Sequence, residues 1–215
     1  MYKLVIFDMD GTILNTLEDL TDSMNVSLRE YGLPERRIDE IRKFVGNGLH
    51  KLTERSVPEG TSDEMIEGVF NYLFTYYREH CDIKTKPYDG VIELIKRLRD
   101  AGCKTAVISN KADGAVNALC ESYFDGLFDI AVGDRPGKAK KPAPDSVDEV
   151  LSKLGFSRDE AVYVGDSDVD LETARNAHMD CISVSWGFRD KEFLLSKGAT
   201  TIIDRPEEAD EIILK

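Results

Sequence analysis

The chain predicts an α/β fold: a doubly wound parallel sheet with a small helical unit inserted after the first strand. Three observations lead there. Short apolar runs of strand length alternate with segments of helical periodicity, as in successive βα units. The strand-like runs are apolar at nearly every position, as expected of strands covered by helices on both faces. Finally, the stretch from about Thr16 to Asp82 carries helical patterning and no convincing strand.

The first strand is Leu4-Val5-Ile6-Phe7, and Asp8-Met9-Asp10-Gly11-Thr12 follows it directly. In the insert, Leu17, Leu20, Met24 and Leu28 recur at helical spacing until Tyr31-Gly32-Leu33-Pro34 ends the helix. Ile66, Val69, Phe70, Leu73, Phe74 and Tyr77 mark another helix. The connections fall at Ile13–Thr16 and Ile83–Tyr88, which predicts a core of residues 1–14 and 85–215 and a helical cap of residues 15–84. After the insert, helices are expected at Gly90–Asp100, Ala112–Ser122, Pro144–Leu154 and Val169–Asn176. Strands are expected at Thr105–Ser109, Phe128–Val132, Ala161–Val164, Cys181–Val184 and, more weakly, Thr200–Ile203. Because the insert leaves from the loop that carries Asp8 and Asp10, it is expected to close over them.

Bulk composition narrows the function. A chain of 215 residues has room for one good core and a smaller second unit. Its 28 Lys and Arg against 41 Asp and Glu give a net charge of −13. That balance argues against nucleic acid or an anionic membrane as partner, since both need a basic footprint. It leaves open a small anionic substrate held by a local cluster of cations. Cys81, Cys103, Cys120 and Cys181 are scattered without a C-x-x-C pair, so they read as buried free thiols rather than a zinc site. With no signal-peptide h-region and no apolar run of ~20 residues, a reducing cytoplasmic setting is expected; a monomer is expected too, though no motif in the sequence specifies the oligomeric state.

Four motifs carry the chemistry. Asp8 and Asp10 put two like charges at a strand's end, which calls for a cation beside them; a hard divalent metal suits carboxylate oxygens. A calcium-binding loop starting at Asp8 would need glycine at its sixth position, where Ile13 stands. A carboxylate nucleophile with a second carboxylate as general acid and base can split phosphate-ester hydrolysis into two steps. On that reading Asp8 is the nucleophile, Asp10 the acid/base, and Gly11 lets backbone N–H groups approach the phosphate. Ser109-Asn110-Lys111 follows a strand, where a hydroxyl and the N–H groups of a starting helix make an anion site. In Lys140-Lys141-Pro142-Ala143-Pro144-Asp145, two prolines restrict the backbone ahead of a helix and so aim a lysine. Gly165-Asp166-Ser167-Asp168-Val169-Asp170 again sets carboxylates at a strand's end. A calcium loop from Asp166 would place Leu171 and Ala177 at its glycine and bidentate-acid positions, so Asp166 is read as a metal ligand, Asp170 as its support and Asp168 as a helix N-terminal acid. All four motifs fall on the same expected edge of the sheet, beyond the strands' carboxyl ends.

In order and placement, Asp8-x-Asp10-x-Thr12, Ser109, Lys141 and Gly165-Asp166…Asp170 resemble the haloacid dehalogenase-like superfamily, and within it the phosphatases with a helical cap after the first motif. The resemblance spans essentially the whole chain. It implies a phosphoaspartate at Asp8, proton transfer by Asp10, and Lys141 both in catalysis and on the phosphoryl oxygens. It further implies phosphate contacts from Gly11, Thr12, Ser109 and Asn110, and Mg²⁺ held by Asp8, Asp166 and the Asp10 carbonyl. Asp10 itself argues against the dehalogenase branch, which lacks that second carboxylate. Phe44-Val45-Gly46-Asn47-Gly48 and Ser185-Trp186-Gly187-Phe188-Arg189 resemble segments of phosphoglycolate phosphatases. Lys43, Gly46, Asn47, Gly48 and Arg55 are therefore candidate cap contacts. Arg42, His50 and Lys51 cluster with them and read either as partners of a substrate carboxylate or as a solvated helix face. His80 and His178 are assigned nothing. The expected partner is a small phosphorylated metabolite, such as 2-phosphoglycolate. A pyrophosphatase or a sugar-phosphate mutase or phosphatase of the same superfamily is the alternative. A receiver-like phosphoacceptor module is more distant, because receivers carry no cap and no carboxylate two residues past the acceptor.

Overall fold

The computed structural model describes residues Met1–Lys215, and the chain divides into two compact units. The first comprises Met1–Leu14 and Pro87–Lys215, the second Asn15–Lys86. Between them the chain passes twice, at β2 (Leu14–Asn15) and β3 (Lys86–Pro87), which pair as a two-stranded ribbon.

The larger unit is built on a six-stranded sheet, ordered β5-β4-β1-β6-β7-β8. Its strands are β1 (Leu4–Phe7), β4 (Lys104–Ala112), β5 (Ile130–Asp134), β6 (Ala161–Gly165), β7 (Asp180–Val184) and β8 (Ile202–Ile203). Every pairing is parallel. Around it run α5 (Val91–Asp100), α6 (Asp113–Phe124), α7 (Asp145–Leu154), α8 (Asp168–Asn176), α9 (Lys191–Ser196) and α10 (Ala209–Ile213). The period of two along a strand sorts its side chains between two cores. Val5, Phe7, Val107, Val162 and Val164 pack with Val91, Leu94, Ile95 and Leu98 of α5, Val116 and Leu119 of α6 and Ile213 of α10. Leu4, Ile6, Ala106, Ile108 and Tyr163 face the other way, onto Val147, Val150 and Leu151 of α7 and Ala174 of α8. This is why the strands read as continuous apolar runs and why the fold is a doubly wound α/β sheet.

Strand order runs outward from β1 in both directions, so β1, between β4 and β6, marks the topological switch point. Phe7 is in register with Val107 and Val164, which sets Asp8, Ile108 and Gly165 side by side at the sheet's carboxyl edge. Three expected strands differ by two residues or more, and the last is confined to Ile202–Ile203 instead of starting at Thr200. The fifth strand starts at Ile130 rather than Phe128, because Phe128 instead packs its ring against Phe7 and Phe124, with centroids 6.2 and 5.4 Å away. The fourth strand does not stop at Ser109. It continues to Ala112 across a register shift, because Ala112 still pairs with Asp134.

The second unit is all helix: α1 (Leu17–Glu30), α2 (Ile38–Phe44), α3 (Gly48–Ser56) and α4 (Asp63–His80). Leu20, Met24 and Leu28 of α1 meet Ile41, Leu52, Val57, Val69, Leu73 and Tyr77 in a separate core. Ser62 caps α4 by accepting from the Met65 N–H. Asp19 is buried in α1, and its carboxylate accepts from the backbone N–H groups of Lys84 and Thr85, at 3.0 and 2.8 Å.

Candidate active site

β1 delivers Asp8 to the carboxyl edge with 5% of its surface exposed. The chain then turns within five residues: the N–H groups of Ile13 and Leu14 both return to the Met9 carbonyl at 3.0 Å. Gly11 makes the turn possible, with φ at +95° and a Cβ position only 2.4 Å from an oxygen of Asp166. Asp166 directly follows β6 and Ser109 lies in β4. Lys141 sits on the loop between β5 and α7, joined to Pro142 by a cis peptide bond.

These residues converge. Lys141 Nζ donates to Asp8 Oδ1 at 2.6 Å, Asp170 Oδ1 at 2.7 Å and Tyr163 Oη at 3.1 Å. The Tyr163 hydroxyl in turn donates to Asp170 Oδ1 at 3.2 Å. The other Asp170 oxygen accepts from Ser167 N and Oγ, at 3.1 and 2.6 Å, closing the capping box that starts α8. Asp170 thus acts at once as helix cap and as anchor for the lysine. Burial works against the charge on Lys141, but the carboxylates of Asp170 and Asp8 outweigh it and hold the ammonium well above its usual range. Burial, with Asp170 nearby, pushes Asp8 up to about 7 against the pull of Lys141. Asp166 is raised for the same reason, burial first and then its neighbours Asp170 and Asp8, and the Phe188 N–H opposes the shift.

The charge balance points to a cation. Asp8, Asp166 and Asp170 bring oxygens within 4.8 Å of one another, all buried, and Lys141 is the ammonium among them. Three carboxylates against one ammonium leave a surplus of about two negative charges in a site closed to water. The Thr12 hydroxyl lies 3.2 Å from Asp8 Oδ2 and 3.4 Å from Asp166 Oδ1, and its single proton serves one of them. A hard divalent cation with oxygen preference fits that donor set.

Asp10 stands apart from this cluster. Its carboxylate accepts from Ser109 Oγ at 3.2 Å and lies 3.2 Å from Lys111 Nζ, so any share in a metal site falls to its main-chain carbonyl. The Gly11 and Thr12 N–H groups are engaged inside the turn, with Leu14 O at 2.8 Å and Met9 O at 3.3 Å. Ser109 and Asn110 do not open a helix, since the strand outlasts them and α6 begins at Asp113. The Asn110 amide is bound to the backbone of Lys141 on both sides.

A third segment braces the site. The Phe188 N–H donates to Asp166 Oδ2 at 2.6 Å, and Trp186 Nε1 donates to the Thr12 carbonyl at 3.0 Å. Between them Gly187 leaves no room for a side chain, since a Cβ there would sit 2.3 Å from both Asp166 Cβ and the Gly11 carbonyl. The sequence singles out the segments holding Ser167, Lys111 and Trp186–Phe188 but gives none of these residues its own contact, and it gives Tyr163 no role beyond the strand. Of these, only the Ser167-x-x-Asp170 capping box was readable locally. Asp168 lies in the first turn of α8, 3.6 Å from Arg189.

In the helical unit, Gly46, Asn47 and Gly48 all have positive φ and turn the chain between α2 and α3. Arg55 Nη1 donates to the carbonyls of Phe44 at 2.8 Å and Gly46 at 3.4 Å, which ties that loop down. Lys43 and Asn47 are exposed. His50 contacts Glu67 at 2.6 Å and Glu54 at 3.1 Å, and Lys51 pairs with Glu54. No helix of the chain is long and apolar enough to cross a membrane.

The central strand of a doubly wound parallel sheet thus ends in an aspartate with a lysine on it and further aspartates after the adjoining strand. The chain belongs to the haloacid dehalogenase-like hydrolases, whose family model matches residues 5–184. It is similar to a phosphoglycolate phosphatase of Aquifex aeolicus, 31% identical over 187 residues and 86% of each chain. It also resembles one of Psychrobacter arcticus, 33% identical over 86% of this chain and 84% of that one. Among solved structures, a protein of Lactobacillus delbrueckii subsp. bulgaricus superposes with a TM-score of 0.95 at 40% identity, covering 99% of this chain and 98% of its own.

Proposed function

We propose that this hydrolase, an enzyme acting on phosphate esters, cleaves a small phosphomonoester through an aspartyl phosphate on Asp8, with 2-phosphoglycolate as substrate. The observation that carries the reading is the buried Asp8 carboxylate at the switch point, held by Lys141 and flanked by Asp166. The names of the relatives at 31% and 33% identity support the substrate.

In the first step an Asp8 oxygen attacks phosphorus, the phosphorus–oxygen ester bond breaks, and Asp10 gives its proton to the departing alkoxide. In the second, Asp10 takes a proton from water as the water oxygen attacks the acyl phosphate. Inorganic phosphate leaves and the Asp8 carboxylate is restored. Lys141, with the Ser109 hydroxyl, meets the negative charge on the transferring oxygens, preorganised in a site that excludes water. Mg²⁺, which Asp8 and Asp166 would hold together with the Asp10 carbonyl, would supply further neutralisation of that charge. We assign recognition of the rest of the substrate to Lys43 and to the Gly46-Asn47-Gly48 loop held by Arg55, within residues 15–84 acting as a cap. On the same reading the enzyme is a monomer working in a reducing cytoplasm, in keeping with its four free thiols.

The test is a panel of phosphoglycolate, pyrophosphate, sugar phosphates and nucleotides, ranked by kcat/KM. Phosphoglycolate is expected first, with many turnovers per chain. Release of one phosphate per chain would identify a phosphoacceptor module instead, and a sugar phosphate isomerised without phosphate release would identify a mutase.

A further inference from the structure

The Lys141 ammonium touches the Asp8 carboxylate, and the structure fixes the residue at both ends. Its ammonium has three N–H donors and finds three oxygens, on Asp8, Asp170 and Tyr163. At the other end, Asn110 Oδ1 accepts from the Lys141 N–H at 2.9 Å, and Asn110 Nδ2 donates to the Lys141 carbonyl at 3.0 Å. One planar amide therefore pairs with the donor and the acceptor of one residue 31 positions away. One residue further on, the Pro142 carbonyl accepts from Asn176 Nδ2 at 2.9 Å.

This pairing depends on the continuation of β4 past Ser109. Ser109 and Asn110 lie where the pairing of β4 with β5 shifts register, between Ile108 and Ala112, and their side chains part there. Ser109 accordingly binds Asp10, and Asn110 turns to the loop that carries Lys141. Two adjacent residues thus set the two groups to which proton transfer and charge neutralisation have been assigned. The Asn110 amide commits its oxygen and one of its two N–H groups to Lys141.

We propose that Asn110 is a positioning residue for Lys141, acting through the lysine's backbone. The proposal rests on the function assigned to Lys141 above. Loss of the clamp lets the lysine backbone move, and displacement of a catalytic group by about 1 Å can cost roughly 10²-fold in rate.

A double-mutant cycle on p-nitrophenyl phosphate hydrolysis tests it, using Asn110→Ala, Lys141→Ala and the pair, with Tm recorded for each. Asn110→Ala is expected to lower kcat/KM by about 10²-fold in the parent, and by less than twofold once Lys141 is already alanine. Asn110→Asp keeps the side-chain shape but loses the donor to the Lys141 carbonyl; it is expected to show the same loss and serves if the alanine variant folds poorly. Binding of orthovanadate by calorimetry reads the same cycle if turnover of Lys141→Ala falls below detection. Equal losses in both backgrounds, or full activity of Asn110→Ala and Asn110→Asp, would overturn the clamp. Full activity of Lys141→Ala would instead remove the function assigned to Lys141, a separate failure.

Discussion

Replacing Gly187 by alanine adds one methyl group at the back of the metal-ligand candidate Asp166. Its Cβ would fall 2.3 Å from Asp166 Cβ, 2.3 Å from the Gly11 carbonyl oxygen and 2.5 Å from Asp166 Oδ2, against ordinary contacts that begin at 3.4 Å. The gap must open by about 1 Å, and neither neighbour is a flexible chain end: one is backbone, the other the root of a buried carboxylate. Overpacking of this kind costs about 1–3 kcal/mol. In a chain of this size that lowers Tm by roughly 3–10 °C. The chemical consequence is larger. A carboxylate pushed by about 1 Å loses roughly 10²-fold in kcat/KM, and disturbance of the Phe188 N–H on Asp166 should raise the Mg²⁺ concentration for half activity about 10- to 100-fold. Phosphate release measured across a Mg²⁺ titration, with thermal melts alongside, reads all three effects. Gly187→Ala with parental kcat/KM and an unchanged Mg²⁺ midpoint would refute the inference that this segment positions Asp166.

Four further outcomes are expected. Asp8→Asn should release no phosphate from p-nitrophenyl phosphate while keeping its far-UV circular dichroism, since the amide is no nucleophile. Tyr163→Phe should lower kcat severalfold and stability by about 1 kcal/mol in urea melts, since Lys141 and Asp170 each lose one buried hydroxyl contact. Asp19→Ala should cost roughly 1–3 kcal/mol in the same assay by stranding the buried N–H of Thr85 and freeing the part-buried N–H of Lys84. Glu149 is held down to about 2 by its hydrogen bond with Lys153 and by Arg135. Its contribution to stability should therefore be full above pH 4.5 and fade as pH falls toward 2. Glu149→Gln should be less stable than the parent at pH 6 and equally stable near pH 2.

The sheet was legible because its chemistry is local. Leu4–Phe7 and Ala161–Val164 are apolar at every position, and helices between them leave a parallel sheet as the natural arrangement. The carboxyl ends of the strands then put Asp8 and Asp166 on one edge. The misplaced ends have a common cause: a short apolar run shows burial, not hydrogen bonding. Phe128 is buried by ring packing outside the strand, and Asn110 reads as a cap or turn residue although it lies within one. The clamp on Lys141, the brace from Trp186 to Phe188 and the Tyr163 hydroxyl all join residues far apart in the chain. No local pattern announces such pairs. Ser167 and Asp170 are the exception, three residues apart, and there the sequence holds the signal.

The most direct measurement of the mechanism is chemical trapping of the intermediate during turnover. Enzyme mixed with 2-phosphoglycolate and Mg²⁺, quenched within milliseconds and reduced with borohydride, should yield one altered peptide, with the side chain of Asp8 converted to the alcohol. Reduction at any other residue, or an unmodified chain under conditions of rapid phosphate release, would contradict phosphoryl transfer to the aspartate that ends β1.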